Sequence, residues 1–208
     1  MRTVLLIRHA PVDCPDGARL CLGSRTDLPA SPAGLAAAAA LAPVLRKLAL
    51  SAVCHSPMRR CRETAEALAA GLPVESVPGL EEIDCGLWDG LSFDAIRARW
   101  PEHYARRGED PALPPPGGEA YVHAAARGLA ALRKLLARTE GDLAVVAHAG
   151  VNRAMLTVLA GMPIDGLWSL PQEHLCVNSL SFDGTRLSVV SVGKPLLSLA
   201  ETEGAVTK

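Results

Sequence analysis

Short apolar runs alternate along the chain with stretches whose apolar positions recur every three or four residues. Residues 3–7, Thr-Val-Leu-Leu-Ile, are the first run and read as a buried strand. Residues 52–55 and 143–147 have the same character, and 74–77 is a further candidate strand. Between the first two runs, Ser31-Pro32 supplies an N-cap with proline at the first helical position. Leu35, Ala38, Ala42, Leu45 and Leu48 then share one helix face, and Pro43 inside that pattern predicts a kink or break. Ser56-Pro57 repeats the cap signal before a helix whose apolar face is Cys61, Ala65 and Leu68. Residues 91–107 read as one or two helices with a basic face of Arg97, Arg99, His103, Arg106 and Arg107. A long helix is predicted over 119–138, striped by Tyr121, Ala125, Leu129, Leu132 and Leu136. Helices over 151–159, closed by Gly161, and over 163–170 follow. Strands at 177–182 and 187–192 are joined by Asp183-Gly184, a hairpin turn, and 200–208 read as a frayed end. Strand–helix alternation closing in a hairpin predicts a three-layer α/β/α sandwich with a mainly parallel sheet and a C-terminal antiparallel hairpin.

Two breaks in the pattern matter. Residues 11–29 form a loop rich in Pro, Gly and Asp, and 111–118 read as a stiff linker ending in a Gly-Gly hinge. Too little chain lies on either side of that linker for separate domains. One domain over 1–208 is therefore expected, with a cap insertion at about 85–118 that covers the site. At 208 residues and a mean hydropathy of +0.19 the chain suits one sizeable core. Its net charge of −1 gives no reason to expect nucleic acid or an anionic membrane as partner. No apolar stretch reaches the ~20 residues that span a bilayer, and Arg8 interrupts the first run too early for a signal peptide. Cys14, Cys21, Cys54, Cys61, Cys85 and Cys176 show neither a disulfide framework nor zinc-ligand spacing. They read as reduced thiols, which implies the cytoplasm. The edge strands near 177–192 offer a surface for a homodimer.

The candidate chemistry sits where strands end. Arg8-His9 stops the first run and His148 stops the run at 143–147. Either is ordinary at a solvated strand end, but ligands of open α/β sheets bind outside the carboxyl ends of the strands. Arg59, Arg60 and Arg62 crowd a helix start, where the macrodipole favours acids. Repeated violation of that preference suggests a bound anion; the alternative is that these arginines splay into solvent or pair with Glu63 and Glu66. Glu81, Glu82 and Asp84 are hemmed in by Leu80, Ile83 and Trp88, so one could be a carboxyl raised by burial or all could form an acidic turn. A neutral histidine nucleophile, arginines for phosphoryl oxygens and a carboxylic acid for the leaving alcohol make a complete set without a metal.

Four segments carry a resemblance: Arg8-His9-Ala10, residues 56–65 (SPMRRCRETA), residues 80–90 (LEEIDCGLWDG) and residues 146–151 (VAHAGV). In their order and content the chain resembles the histidine phosphatase superfamily, the phosphoglycerate mutase-like group, from about residue 2 to 192. Asp27, Ser31 and Gly34, and later Gly117-Gly118-Glu119, also fit. The resemblance implies that His9 takes the phosphoryl group while Arg8, Arg60 and His148, with the backbone N–H of Ala149, clamp its oxygens. Arg60 matches the family's arginine by its place two after Met58 and four before Thr64. Glu82, two after Leu80, matches the proton donor. No cofactor and no metal are expected.

Ala10 and Ala149 stand where glycines are usual, Val12 where a hydroxyl is usual and Pro15 where an Asn is usual. Two polar contacts to phosphate are thus missing, and Asp13, Cys14, Ser24 or Thr26 are the substitutes at hand. Ser24 and Thr26 join Arg8, Arg60 and Ala149 as expected substrate contacts. Ile83 to Gly90 look like the phosphatase branch, and the chain is short for a glycolytic mutase. The implied activity is hydrolysis of a small-molecule phosphomonoester, with α-ribazole phosphate one candidate. The alternatives are a phosphoglycerate-type mutase, a weakly catalytic phosphate-ligand binder and a metal hydrolase. His55, His103, His123 and His174 receive no catalytic role.

Overall fold

The structure, a computed structural model, describes residues 1–199; the predicted frayed end at 200–208 lies outside the described residues. Six strands form one sheet: β1 (Arg2–Arg8), β2 (Ala52–His55), β3 (Val74–Ser76), β4 (Leu143–Ala147), β5 (Cys176–Phe182) and β6 (Leu187–Pro195). Their order is β3-β2-β4-β1-β5-β6. The first four are mutually parallel, whereas β5 runs antiparallel to β1 and β6 antiparallel to β5. β1 and β4 are central and covered on both faces, which is why they read as unbroken apolar runs.

Side chains alternate across the sheet. Val4 and Leu6 point into one core with Leu132, Leu135 and Met155, from helices α5 (Tyr121–Arg138) and α6 (Ala149–Leu159). Leu5 and Ile7 point into the other with Leu45 and Leu68, from α1 (Pro32–Lys47) and α2 (Arg59–Leu68). Each such fully buried leucine contributes about 1.5–3 kcal/mol of transfer free energy. Among the described residues, no helix is long and apolar enough to cross a membrane.

Several boundaries differ from expectation for physical reasons. Pro43 does not break α1, which runs through it as one helix. Pro43 and Ala39, four residues earlier, are both exposed, so water can take the hydrogen bond that proline cannot make. Residues 91–107 form two helices, α3 (Phe93–Arg99) and α4 (Pro101–Glu109), because Trp100-Pro101 ends the first and starts the second. The segment at 163–170 is a 3₁₀ helix over Ile164–Ser169. Helix α6 begins at Ala149, two residues before the predicted start, directly behind His148. The register aligns Arg8 with Ala147 on β4 and His55 with Val146. The carboxyl ends of β1, β4 and β2 therefore lie side by side, with β1 and β2 separated by β4.

Candidate active site

At that edge His9 is buried, 5% exposed, and its backbone N–H donates to the Ala147 carbonyl at 3.0 Å. Its ring Nδ1 lies 2.7 Å from the carbonyl oxygen of Ala10. A carbonyl only accepts, so Nδ1 carries the hydrogen and Nε2 keeps its lone pair. Burial pushes the His9 pKa well below its ordinary 6.5, and the charges of Arg60 and Arg8 add to this. The Ala10 N–H in turn donates to Thr64 Oγ1 at 3.0 Å, which fixes the turn after the strand.

Arg8 is held from the far side of the sheet. It donates through Nη1 to the Gln172 carbonyl and through Nη2 to His174 Nε2, 3.1 Å away. His174 Nδ1 donates to the His9 carbonyl at 3.0 Å, and the two rings lie 5.2 Å apart. His174 is thus a neutral strut joining the two residues of the Arg-His pair. Arg8 Nε is buried without a hydrogen-bond partner. The Gln172 side chain is anchored to Asn178 at 2.6 Å, and Asn178 donates to the Leu6 carbonyl of β1.

Of the three crowded arginines only Arg60 turns inward. Arg59 pairs with Glu63 at 2.6 Å and Arg62 with Glu66 at 3.5 Å, each one helical turn on. Arg60 is fully buried on the face of α2 that carries Cys61, Thr64 and Leu68. Its guanidinium donates to His148 Nδ1 (3.2 Å), the Thr26 carbonyl (3.0 Å) and the Gly23 carbonyl (3.2 Å). Those contacts use three of five N–H groups and leave two. Because His148 Nδ1 accepts, its Nε2 carries the hydrogen and donates to Ser56 Oγ at 2.9 Å. The His9 and His148 rings meet at 5.2 Å, edge to face. His148 is fully buried, and burial, followed by the Arg60 charge, holds its pKa well below the ordinary value.

Glu82 closes the site from below. One carboxylate oxygen accepts from the backbone N–H of Ile83 and Val151, both at 2.9 Å, and the other from Gly150 at 3.0 Å. The Asn152 N–H is taken by the His148 carbonyl. Of the first four N–H groups of α6, this leaves Ala149 without a protein partner among the described residues, at the positive end of a helix. Glu82 also explains the early start of α6, since its carboxylate satisfies two first-turn donors. Gly150 is required here, because an added Cβ would lie 2.6 Å from a Glu82 oxygen. Arg127 of α5 latches the segment from behind. It donates to the carbonyls of Gly79, Glu81 and Glu82 and pairs with Glu119 at 2.8 Å. Asp84 is no raised acid. Burial pushes it up, but the Arg25 guanidinium and the Gly86 N–H outweigh that and hold it below the usual range.

Arg8, His9, Arg60, Glu82, His148 and Ala149 therefore gather at one sheet edge. Ser24 and Thr26 act through their backbone, the first donating to the Ile83 carbonyl and the second accepting from Arg60. The basic face at 97–107 is divided: Arg97 pairs with Asp94, Arg99 lies over the Trp100 ring, and Arg107 is buried. Sequence reasoning missed His174, Gln172 and Arg127, whose contacts to Arg8 and to the 79–82 turn span 45 to 166 residues. His55, at the end of β2, makes the same contact as His9, its Nδ1 lying 2.7 Å from the Ser56 carbonyl, but among the described residues no hydrogen bond or ion pair joins it to Arg8, Arg60 or Glu82.

Two buried neutral histidines and a half-buried third make the fold acid-sensitive. His9, His148 and His174 all have pKa values depressed below 6.5, burial being the first cause in each. Above pH 6.5 they are neutral in both folded and unfolded chains and contribute no pH dependence. As pH falls below 6.5 the unfolded chain binds protons that the folded one does not, so stability falls until the folded values are reached. Urea midpoints measured from pH 8 to pH 5 are expected to be flat above pH 7 and to decline below about 6.5. A His9→Asn variant is expected to decline less steeply.

The family model described as histidine phosphatase superfamily (branch 1) matches residues 4–195. A glucosyl-3-phosphoglycerate phosphatase of Mycolicibacterium vanbaalenii is 30% identical over 175 residues, covering 79% of this chain and 77% of its own. The structure of a mycobacterial glucosyl-3-phosphoglycerate phosphatase complexed with VO3 is similar at a TM-score of 0.83 and 28% identity. It spans 93% of this chain and 100% of that one. The α-ribazole phosphatase of Shigella flexneri shares the fold, with a TM-score of 0.77 at 22% identity over 92% of this chain and 96% of that one.

Proposed function

The chain belongs to the histidine phosphatase superfamily and is a phosphatase of that class, and from this premise we propose that it hydrolyses a small phosphomonoester through a phosphohistidine on His9. The observation that carries this reading is the His9 tautomer. Its Nδ1–H is committed to the Ala10 carbonyl, which leaves the Nε2 lone pair free inside a cluster of fixed cations.

The phosphoryl group lies between His9 and the spare donors: Arg8 Nε, two N–H groups of Arg60 and the Ala149 N–H at the start of α6. Nε2 attacks phosphorus as the ester P–O bond breaks. The departing alcohol oxygen takes a proton from the Glu82 carboxyl. The Glu82 carboxylate then takes a proton from water, whose oxygen attacks phosphorus as the P–N bond breaks. Inorganic phosphate leaves and His9 returns to its neutral form. Arg8 and Arg60 supply fixed charge for the equatorial oxygens, the part a divalent cation plays in other phosphoryl-transfer sites. His148 orients Arg60 through their shared hydrogen bond. The segment at 85–118 acts as a cap over the alcohol portion.

Phosphate release from phenyl phosphate in excess EDTA tests this reading. Turnover is expected to match that without chelator to within about twofold, since no step uses a metal. Turnover abolished by EDTA and restored by a divalent cation would overturn it.

A further inference from the structure

Beside Glu82 and Ala149 lies a cavity of about 380 Å³, walled on its other sides mainly by the 85–118 segment, Tyr121 and Trp168. The chain has three Trp, two Tyr and two Phe, yet five of these seven line this one cavity: Trp88, Phe93, Tyr104, Tyr121 and Trp168. The lining contains no Asn, Gln, Asp, Ser, Thr, Lys or His. A sugar has a hydroxyl on nearly every carbon, and each one buried without a partner costs about 1–3 kcal/mol. Besides Glu82, the polar side-chain groups here are two tyrosine hydroxyls, two arginines, the indole N–H groups of Trp88 and Trp168 and the thiols of Cys21 and Cys85; the arginines and indoles only donate and the thiols bond weakly, which leaves too few acceptors for such a group. An aromatic ring of the substrate needs none, and the surrounding rings favour edge or offset contact with it.

Arg107 and Arg153 are the second observation. Both line the cavity, and neither pairs with a carboxylate among the described residues. Arg107 is 7% exposed, donates to the Leu113 carbonyl and sits over the Tyr121 ring at 4.8 Å. Arg153 uses Nε on the Leu170 carbonyl at 2.9 Å. Both charges act on the Tyr121 hydroxyl, so they bear on the same end of the cavity. A buried guanidinium facing a cavity without a counter-ion is set for an anion on the ligand.

Resting on the phosphatase reading above, we propose that the substrate's alcohol portion is an aromatic ring bearing a carboxylate-like anion, seated in this cavity against Arg107 and Arg153. The phosphoester end lies at His9 and the ring extends beneath the 85–118 segment. This differs from the sugar-bearing substrate in the names of the glucosyl-3-phosphoglycerate phosphatases.

Benzyl phosphate, 4-carboxybenzyl phosphate and glucose 6-phosphate test this, because all three are esters of primary alcohols and differ little in leaving-group basicity. For the wild type, kcat/KM for benzyl phosphate is expected to exceed that for glucose 6-phosphate by about 100-fold, and the 4-carboxy group to add about tenfold. Arg107→Met is expected to bring the 4-carboxybenzyl to benzyl ratio from about ten to about one. Glucose 6-phosphate equal to or better than benzyl phosphate would overturn this inference and leave the phosphatase reading standing. A 4-carboxy advantage unchanged in both Arg107→Met and Arg153→Met would overturn the assigned anion site. No phosphate from any of the three would overturn both readings. The wild-type ranking decides the ring preference whether or not either variant folds.

Discussion

Replacing His9 by alanine is expected to lower kcat/KM on any phosphomonoester by at least about 10⁴-fold, or about 5 kcal/mol of transition-state stabilisation. The size follows from the step that is lost. Without Nε2 no covalent intermediate forms, and water would have to attack from the emptied His9 side with no base beside it, since Glu82 serves the departing alcohol on the opposite side. The cation cluster survives the substitution, since Arg60 is held by His148 and by the Gly23 and Thr26 carbonyls rather than by His9. His9→Ala should therefore still bind inorganic phosphate or vanadate. Steady-state phosphate release, with phosphate binding by calorimetry on the same preparation, checks both halves. Residual turnover within tenfold of wild type would place the nucleophile elsewhere.

Glu82→Gln is expected to lower kcat/KM, which reports the steps up to departure of the alcohol, by about 10²–10³-fold on an alkyl phosphate. The loss on 4-nitrophenyl phosphate should be at least tenfold smaller, because that leaving group departs without a proton. The comparison separates chemistry from architecture. Glu82 also satisfies the N–H groups of Ile83, Gly150 and Val151, and an amide offers only one oxygen to them. A lower melting temperature is therefore expected in any case. A purely architectural role would slow both substrates by the same factor, whereas proton donation slows the alkyl ester more. Wild type and variant measured on both esters give the ratio directly.

The parts of the site that the sequence made legible are those marked by an abrupt local change. β1 and β4 are unbroken apolar runs that stop at Arg8-His9 and at His148, and buried parallel strands leave that trace. The arginines at the start of α2 broke a helix-end preference, and the structure sorts them. Arg59 and Arg62 follow the surface pairing that helical spacing allows, while Arg60 shares the buried spacing of Cys61, Thr64 and Leu68. The 3.6-residue periodicity of α2 held that distinction, although its charges hid it.

What stayed hidden depends on contacts between distant segments. His174 follows no strand end and belongs to no local pattern, yet the antiparallel return of β5 beside β1 sets it against Arg8 and His9. Arg127 lies mid-helix and looks like any solvated helix residue until α5 packs behind the 79–82 turn. Pro43 misled because local chemistry says only that an N–H is missing, not that the gap faces water. The aromatic cavity was illegible for the same reason. Its five rings are spread from residue 88 to 168 and converge only in the folded chain, beside Glu82 and the start of α6.

The most direct test is to trap the intermediate. Wild-type protein mixed with a ³²P-labelled phosphomonoester and quenched in alkali within one turnover is expected to carry base-stable, acid-labile label. Peptide mapping is expected to place it on His9, and Glu82→Gln to accumulate more of it from an ester with a good leaving group. Turnover with no label on the protein, or label on a residue other than His9, would contradict a phosphohistidine mechanism at this site.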